Sequence, residues 1–382
     1  MRFRSEHRLR SARYVALALL FTLVLAGALT HSAANAPTAG AATSVDRALD
    51  RMAKKRQISK RRAKRAKKLY KNARVLRKKL GRKARSKKKR AQLRVRRRAM
   101  NAQIRQVESL ARRGKLNSSR LTPVFGTLQQ NTRWFKSNGA RPNGTDRRFR
   151  GSRIIFQYFS GRGWQFHPLS NFSKLNAIWT VDDPASRRAQ RAYAKELIRW
   201  GAKRGDALVW EYYFPYAGSP APFISSISQG SAIQGLARVA YRMNNKAIMR
   251  AAKRGLIPFN TPAPRGLRVK RDGGYHYLGY SGTKKQIILN MFVQSVNAVR
   301  DYALIADDKD GRVLYKKGLA AANKVSPHFD TGSWSLYSLR GPKSSLHYHR
   351  LTITFLTALC RSSKEDRICR TRDKFQRYLD KR

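Results

Sequence analysis

The sequence predicts a mainly α-helical fold: an incomplete α/α toroid of stacked helical hairpins with short β segments, preceded by a long basic helical arm. Two observations predict it. Apolar residues recur at helical spacing over most of the chain, and short turns join neighbouring helices into pairs. Extended aromatic and glycine-rich pieces separate the pairs, as in a toroid whose loops form a groove at one end. Periodicity alone leaves a generic α-solenoid open as the alternative.

The charge of the chain is extreme and uneven. Its 382 residues include 84 Lys+Arg and 20 Asp+Glu, for a formal net charge of +64. That excess excludes an acidic activation tail, a calcium buffer and a reader of basic ligands, and it makes a polyanion the expected partner. Residues 51–115 hold 31 Lys+Arg and one acid, whereas residues 116–382 hold 47 Lys+Arg and 16 acids. A dense basic segment therefore precedes a basic but ordinary globular domain.

The first 36 residues are typical of an export signal. An arginine-rich stretch precedes an uncharged run over 14–29, and Ala34-Asn35-Ala36 is a candidate cleavage site. The run is shorter than the roughly 20 residues of a spanning helix, and an uncleaved membrane anchor stays open as the alternative. We therefore predict a secreted or envelope-associated protein. Export argues against nucleic acid as the partner and favours anionic polysaccharides, teichoic-type polymers or anionic lipid head groups.

Residues 37–117 are predicted to form the basic helical arm. Helix formers dominate from 44 to 115, and Gly81 is a candidate break between two long helices. The apolar stripe is thin, so no self-contained core is expected. Two interpretations stay open: a tether to an anionic cell-wall polymer or membrane surface, and a solvated linker.

Residues 118–382 are predicted to form the toroid domain. The apolar run 154–159 predicts a strand, and Asp183-Pro184 starts a helix with an N-cap followed by proline at the first helical position. Gly205 and Gly255 each end a helix before an extended apolar segment. The predicted helices span 121–135, 183–205, 225–243, 245–255, 286–303, 311–325, 348–360 and 364–380.

The two cysteines of the chain, Cys360 and Cys369, flank a polar turn near the C-terminus. In an oxidising compartment this spacing predicts a disulfide between the helices on either side of the turn. No metal site is predicted, because no further ligands of the right kind lie near the pair in sequence.

Three blocks are more specific than helix patterning. The first, ISSISQGSAI, contains Gln229; the second has Tyr280 followed by ILNMF, which contains Asn290; the third, FDTGSWSLYSLR, contains Tyr337 and Arg340 and leads to Tyr348-His349. In this order and spacing they resemble the C-terminal catalytic domain of D-glucuronyl C5-epimerases, enzymes that invert C5 of glucuronic acid within heparan-type polysaccharides. The resemblance covers residues 205–360.

The resemblance implies roles for individual residues. Its catalytic tyrosines correspond to Tyr280, Tyr337 and Tyr348. The expected substrate-binding residues comprise an arginine that meets a carboxylate, two histidines beside the last tyrosine and two groove-shaping amides: Arg340, His347, His349, Gln229 and Asn290. No metal or organic cofactor is implied. The sequence departs from the family at Gly279, where an acid is expected, and at Ser281, where a proline is expected.

Epimerisation at C5 removes a proton α to a carboxylate and returns one to the opposite face, so it needs two acid/base groups and a cation for the carboxylate. A tyrosine with the ordinary pKa of about 10 is a poor base at neutral pH. A cationic surround is expected to lower that pKa in this basic domain. Two other functions stay open: a polysaccharide lyase, which shares the proton abstraction, and a noncatalytic module that binds anionic glycan. As the alternative to catalysis, the three tyrosines are ordinary aromatic packing residues with a hydroxyl at the surface.

Overall fold

The computed structural model describes residues 42–81, 86–283 and 286–382, and the predicted signal peptide lies outside them. The mainly α-helical prediction is confirmed, with a few short strands among the helices. The chain divides into two compact units, one ending at Ser170 and one spanning Asn171–Arg382. We call them the N-terminal unit and the C-terminal unit. Within the described ranges, no helix combines the length and the apolar character needed to cross a membrane.

Four α-helices lie in the described part of the N-terminal unit: α1 Ser44–Lys54, α2 Lys60–Lys79, α3 Lys87–Arg112 and α4 Leu121–Trp134. The first three begin at a Thr or Ser whose side chain accepts a backbone N–H. The expectation of an arm without a core of its own is wrong, because these helices pack against one another. Leu49, Tyr70 and Met100 are buried between them. Alanines such as Ala63 and Ala73 are buried too. Because small side chains let helices pack closely, a thin apolar stripe is enough to form this core.

A three-stranded antiparallel sheet completes this unit: β1 Asp146–Arg148, β2 Ile155–Phe159 and β3 Gly163–Phe166, in that spatial order. The strand predicted at 154–159 is confirmed as β2. Asn131 of α4 accepts a hydrogen bond from the Trp164 amide at 2.9 Å and donates one to the Trp164 carbonyl at 2.7 Å. The sheet is thereby joined to the helices, and the boundary that the sequence places at 117/118 lies inside this unit.

The C-terminal unit begins within helix α5, Pro168–Ile178, and continues through α6, Pro184–Trp200. Asp183 caps α6 as predicted. The helix ends at Trp200 rather than at Gly205, because the chain turns into an antiparallel hairpin of β4, Ala202–Arg204, and β5, Ala207–Val209. Gly205 takes a φ of +61° at the turn, a conformation that favours glycine.

Three helical hairpins form the rest of the unit: α7 Ser226–Arg242 with α8 Lys246–Asn260, α9 Leu289–Ile305 with α10 Lys309–Val325, and α11 Leu346–Ser363 with α12 Asp366–Asp380. A short hairpin of β6, Arg268–Arg271, and β7, Gly274–Tyr277, lies between the first two pairs. Helices α7, α9 and α11 lie side by side. The stacking of helical hairpins is therefore observed, and closure into a toroid stays a prediction.

Helices α7 and α9 run parallel. An added Cβ at Gly230 of α7 would lie 3.0 Å from the Ala298 Cβ of α9. Two turns further along α7, Arg238 forms an ion pair with Asp301 at 3.0 Å. Asn297 of α9 donates to the Phe355 carbonyl of α11 at 3.0 Å. The N-termini of α7 and α9 consequently lie at one end of the stack.

Two covalent or ionic links hold this unit together. Cys360 of α11 and Cys369 of α12 form a disulfide across the polar turn. Arg204 binds the fully buried carboxylate of Glu211 at 2.7 Å and also donates to the Arg265 carbonyl at 2.8 Å. A buried carboxylate paired in this way serves the fold, because its charge is compensated locally.

Candidate active site

Four tyrosines meet at the end of the stack where α11 begins, and we call Tyr216, Tyr280, Tyr337 and Tyr348 the tyrosine cluster. The rings of Tyr216 and Tyr280 lie 5.6 Å apart, and those of Tyr337 and Tyr348 lie 4.8 Å apart. Electrostatic interactions connect Tyr280 with the other three. Three of the four lie in loops and Tyr348 lies in the first turn of α11, so the cluster is assembled from four separate stretches of chain.

Backbone hydrogen bonds hold the loops of the cluster in place. Ser281 donates its amide to the Ile224 carbonyl at 2.9 Å and accepts the Ile224 amide with its hydroxyl at 3.2 Å. Leu339 donates to the Ile287 carbonyl at 2.9 Å. The loop before α9 is thus tied both to the loop before α7 and to the loop before α11. This fixes where Tyr280 and Tyr337 stand relative to each other.

The electrostatics of the cluster differ from the prediction. Burial raises the pKa of Tyr280 well above its ordinary value, and the neighbouring tyrosines raise it further. Burial raises the pKa of Tyr337 as well, followed by the effect of Tyr348. Burial raises the pKa of Tyr348 to about 12, while a hydrogen bond from Tyr337 acts to lower it. The expected lowering by a cationic surround is wrong, because desolvation outweighs the charge of the domain in this pocket.

The three tyrosine environments are nevertheless unequal. Tyr337 donates its hydroxyl proton toward Tyr348, so a phenolate at Tyr348 has a donor beside it. The ring of Tyr280 instead packs edge-on against those of Phe223, at 5.7 Å and 90°, and Tyr216, at 5.6 Å and 76°. Tyr348 is therefore the phenol that ionises most readily, and Tyr280 keeps its proton. Environments that separate two pKa values in this way are typical of acid and base pairs.

Arg340 and His347 lie exposed at the edge of the cluster. Arg340 takes a φ of +60° in the turn that follows Tyr337. An exposed guanidinium remains strongly hydrated, which weakens its attraction for a carboxylate compared with a desolvated donor.

His349 and Gln229 serve the packing of the unit. His349 is fully buried: its Nδ1 bonds the Ser335 hydroxyl at 2.7 Å, and its Nε2 bonds the Phe375 carbonyl at 3.0 Å. Gln229 donates to the Leu208 and Gly255 carbonyls, each at 2.9 Å. Both ring nitrogens of His349 and the amide of Gln229 are engaged inside the core. Both side chains therefore stabilise the core, and their role as substrate ligands stays a prediction.

Asn290 differs from His349 and Gln229, because its buried polar atoms have no hydrogen-bond partner within the described structure. It lies in the first turn of α9 with 2% of its surface exposed, and both its amide oxygen and its amide nitrogen lack a partner within the described structure. Gly279, where the family carries an acid, packs directly on α9: an added Cβ would lie 3.0 Å from Met291 Sδ. The Met291 side chain thus fills the space beside this glycine.

Sequence reasoning missed Tyr216 and the serines that open α7. Tyr216 ends an aromatic run that begins at Trp210 and precedes a Gly-Ser-Pro turn, a pattern that marks an exposed aromatic loop. Ser225 and Ser226 are buried with unpartnered hydroxyls. No pattern in the sequence distinguishes them from ordinary helix-capping serines. Among the residues that the structure describes, no group of three or more His, Cys, Asp or Glu side chains is placed to hold a metal ion.

Comparison with known proteins finds similarity over the part of the chain that contains the tyrosine cluster. The family model described as D-glucuronyl C5-epimerase C-terminus matches residues 204–377, the stretch that carries all four cluster tyrosines. A D-glucuronyl C5-epimerase of Caenorhabditis elegans is 25% identical over 179 residues. That similarity covers 42% of this chain and 29% of the relative, so the chain corresponds to less than a third of the worm protein. Residues 204–377 of this chain are therefore similar to the C-terminal domain of D-glucuronyl C5-epimerases.

Proposed function

We propose that the C-terminal unit inverts C5 of glucuronate residues within a polysaccharide by proton transfer between tyrosines on the two faces of the sugar ring. One observation carries the proposal: Tyr280, Tyr337 and Tyr348 converge at one end of the stacked helices, in the region that matches the epimerase family model. Their convergence from separate stretches of chain supports a site, since Tyr337 bonds Tyr348 and Tyr280 interacts electrostatically with both.

The reaction begins at a proton made acidic by its neighbouring carboxylate. A tyrosinate on one face takes the C5 proton, and the electron pair of the broken C–H bond moves into the carboxylate as an enolate-like dianion. A phenol on the other face then gives its proton to C5, and the electron pair returns to form the new C–H bond. One tyrosine ends protonated and the other ionised, which is the starting state for the reverse reaction.

The unequal environments assign the two roles. Tyr348 is the base, because it has the lower pKa and Tyr337 donates a hydrogen bond to it. Tyr280 is the acid, because burial among aromatic rings keeps it protonated. Tyr337 is a positioning residue that stabilises the phenolate. The phenolate of Tyr348 is a small fraction at neutral pH, so it is a scarce but strong base.

Deuterium incorporation tests the proposal against its two alternatives. The full chain is incubated with a glucuronate polymer in D₂O, and C5 is followed by NMR. Deuterium at C5 with inversion is the expected result. New absorbance of an unsaturated uronate indicates a lyase, and retention on the polymer with neither change indicates a binding module; both contradict the epimerase. Tyr241→Phe is the matched control, since Tyr241 is 66% exposed on α7 and outside the cluster.

We also propose that the chain is exported and acts as a secreted or envelope-associated protein. The Cys360–Cys369 disulfide supports this, since structural disulfides persist in oxidising compartments. Fractionation of expressing cells and N-terminal sequencing test the proposal. Recovery in the cytoplasm with both thiols free contradicts it.

A second proposal concerns the N-terminal unit, which we infer binds an anionic polymer or membrane surface of the cell envelope. The basic surface, as we call it, consists of exposed cations along α2: Arg61, Lys64, Arg65, Lys68, Lys71 and Lys78. The acids of α1–α3 already have partners: Asp50 binds Lys67 at 2.6 Å, and Glu108 lies beside Tyr70 and Arg112. The basic surface thus keeps its charge for an external anion.

A further inference from the structure

The capping residues of α7 and α9 leave most of the first-turn amides without a partner in the described part of the chain, although Ser226 of α7 donates its amide to the Leu278 carbonyl at 3.3 Å. Ser225 and Ile288 occupy the N-cap positions, and neither makes a side-chain capping hydrogen bond. No acidic residue lies in the first turn of either helix. The first backbone N–H groups of a helix lack intrahelical acceptors, and the helix dipole makes this end attractive to an anion. Two such ends at one edge of the stack form a corner where the helix dipoles are electropositive.

Buried polar groups at this corner have no partners in the part of the chain that the structure describes. The hydroxyls of Ser225 and Ser226 are unpartnered, with the residues 1% and 0% exposed. The amide of Asn290 is unpartnered at both atoms. Buried polar groups are paired in the great majority of native structures. Three together at two open helix ends therefore indicate a polar ligand.

Helical spacing places these groups together. The Gly230 position of α7 contacts Ser295 of α9, with an added Cβ 3.5 Å from the Ser295 Cα. Counting back five residues on each parallel helix reaches Ser225 and Asn290, so these two stand at the same level of the stack. The two serines and the asparagine thus lie at the same end of two neighbouring helices.

The same spacing places Asn290 beside the tyrosine cluster. Asn297 of α9 binds the Phe355 carbonyl of α11 at 3.0 Å. Seven residues earlier, about two turns, α9 carries Asn290 and α11 carries Tyr348 on the same faces. The corner therefore adjoins the phenol that is assigned as the base.

We propose that Ser225, Ser226 and Asn290, with the open N-termini of α7 and α9, bind the carboxylate of the uronate whose C5 proton is removed. We call this set of groups the carboxylate cradle. The proposal depends on the proposed function, and it names the part of the substrate that these groups bind. The hydroxyls, the amide nitrogen and the backbone N–H groups all donate, and a carboxylate only accepts. Charge that moves into the carboxylate as the C5 proton leaves is met by donors that are already desolvated and oriented.

The carboxylate cradle takes the role that the sequence assigns to Arg340. That guanidinium is exposed, whereas the cradle donors are buried at the N-termini of α7 and α9. A neutral donor set also leaves the raised pKa values of the tyrosines intact, because it adds no full positive charge beside them. The site would thus stabilise the dianion without ionising its acid, Tyr280.

A short glucuronate-containing oligosaccharide and its carboxyl-reduced counterpart, with glucose in place of glucuronate, test the cradle on the full chain. The measured quantity is the ratio of the two dissociation constants. Asn290→Asp is expected to lower the preference for the carboxylate form by roughly tenfold or more, through loss of a charge-assisted hydrogen bond and added repulsion. Asn244→Asp is the matched control, since Asn244 lies exposed just beyond the far end of α7. It is expected to leave the ratio unchanged.

A second variant keeps the test decisive if Asn290→Asp does not fold. Ser225→Ala combined with Ser226→Ala removes only two hydroxyls, and it is expected to reduce the preference severalfold. Unchanged preference in this double variant, or loss of preference in Arg340→Ala alone, overturns the cradle. Deuterium exchange by the wild type is measured separately: exchange without cradle dependence overturns only the cradle, and carboxylate preference without exchange overturns only the epimerase.

Discussion

The rings of Tyr337 and Tyr348 lie 4.8 Å apart at an angle of 54°, with the Tyr337 hydroxyl bonded to that of Tyr348. The hydrogen bond from Tyr337 acts to lower the pKa of Tyr348, against the effect of burial. It is also the contact most accessible to substitution, because Tyr337→Phe removes a hydroxyl and keeps the ring. The proposed mechanism depends on it, since Tyr337 is the partner that supports a phenolate at Tyr348.

Tyr337→Phe is expected to move the pH dependence of exchange toward higher pH. The hydrogen bond from Tyr337 acts to lower the pKa of Tyr348, so its loss raises that pKa and reduces the phenolate at any given pH. The rate of C5 exchange at neutral pH should fall roughly tenfold to a hundredfold, the size of a hydrogen bond to a charged group. Rates from pH 6 to 9 check this, and recovery at high pH separates it from misfolding. An unshifted profile contradicts the role of Tyr337.

His276→Phe is expected to make the protein more tolerant of acid. His276 is fully buried against the Phe292 ring, 3.9 Å between centroids, and burial lowers its pKa from 6.5 to about 3. The unfolded chain therefore binds a proton that the folded chain excludes between those two values. Stability is full above pH 6.5 and falls as pH decreases through this window, by about 1.4 kcal/mol per unit from this group.

Urea unfolding from pH 7 to 4 measures that slope. The expected slope in His276→Phe is smaller than in wild type by the contribution of one proton. His328→Phe, at an exposed histidine just before Phe329, is the control and is expected to leave the slope unchanged. Equal slopes in wild type and His276→Phe show that another group dominates the acid response.

Removal of the disulfide is expected to destabilise the last hairpin. Cys360 and Cys369 close a loop with a sequence separation of nine between α11 and α12. Replacing both with serine should lower the free energy of unfolding by about 2–3 kcal/mol, since the unfolded chain regains the entropy of that loop. Thermal unfolding with and without a reductant measures this. If reductant lowers the melting temperature of the serine variant as much as that of wild type, the disulfide is not the cause.

Charge reversal on the basic surface is expected to weaken retention on anionic material. Lys64→Glu, Lys68→Glu and Lys71→Glu together change the net charge by six units along one exposed face of α2. Binding to anionic cell-wall polymer or anionic vesicles should fall, with most of the loss at low salt, because exposed charges are screened within about 10 Å at 0.1 M salt.

A second triple variant controls for net charge. Lys316→Glu, Lys317→Glu and Lys324→Glu make the same change on α10 of the C-terminal unit. Equal losses in both triple variants contradict a specific role for the basic surface and indicate attraction by net charge alone.

Local sequence signals predicted most of the helices but not the burial of the first three. Asp183 and Pro184 locate the start of α6 because a cap and a proline act within one turn. The core of the N-terminal unit was not predicted because many of its buried residues are alanines, such as Ala66 and Ala99. Alanine contributes little to a hydropathy pattern. An alanine contributes to a core only where another helix packs closely against it, and this depends on the tertiary structure.

The candidate site was partly predictable for a related reason. The tyrosines could be located by their blocks, whereas the sign of their pKa shifts depends on burial that no local pattern reveals. His349 stood next to Tyr348 in sequence and was predicted to bind substrate, yet its side chain points into the core and bonds Ser335. Adjacent residues on a helix point about 100° apart, so proximity in sequence did not imply a shared site.

The most direct test of the account separates the two tyrosines that act on opposite faces of the sugar. In D₂O, Tyr280→Phe is expected to exchange the C5 proton of glucuronate without inversion, because Tyr348 still removes the proton and returns deuterium to the same face. Tyr348→Phe is expected to abolish exchange from glucuronate while it still binds the polymer. Inversion by Tyr280→Phe, or exchange by Tyr348→Phe at the wild-type rate, contradicts the account.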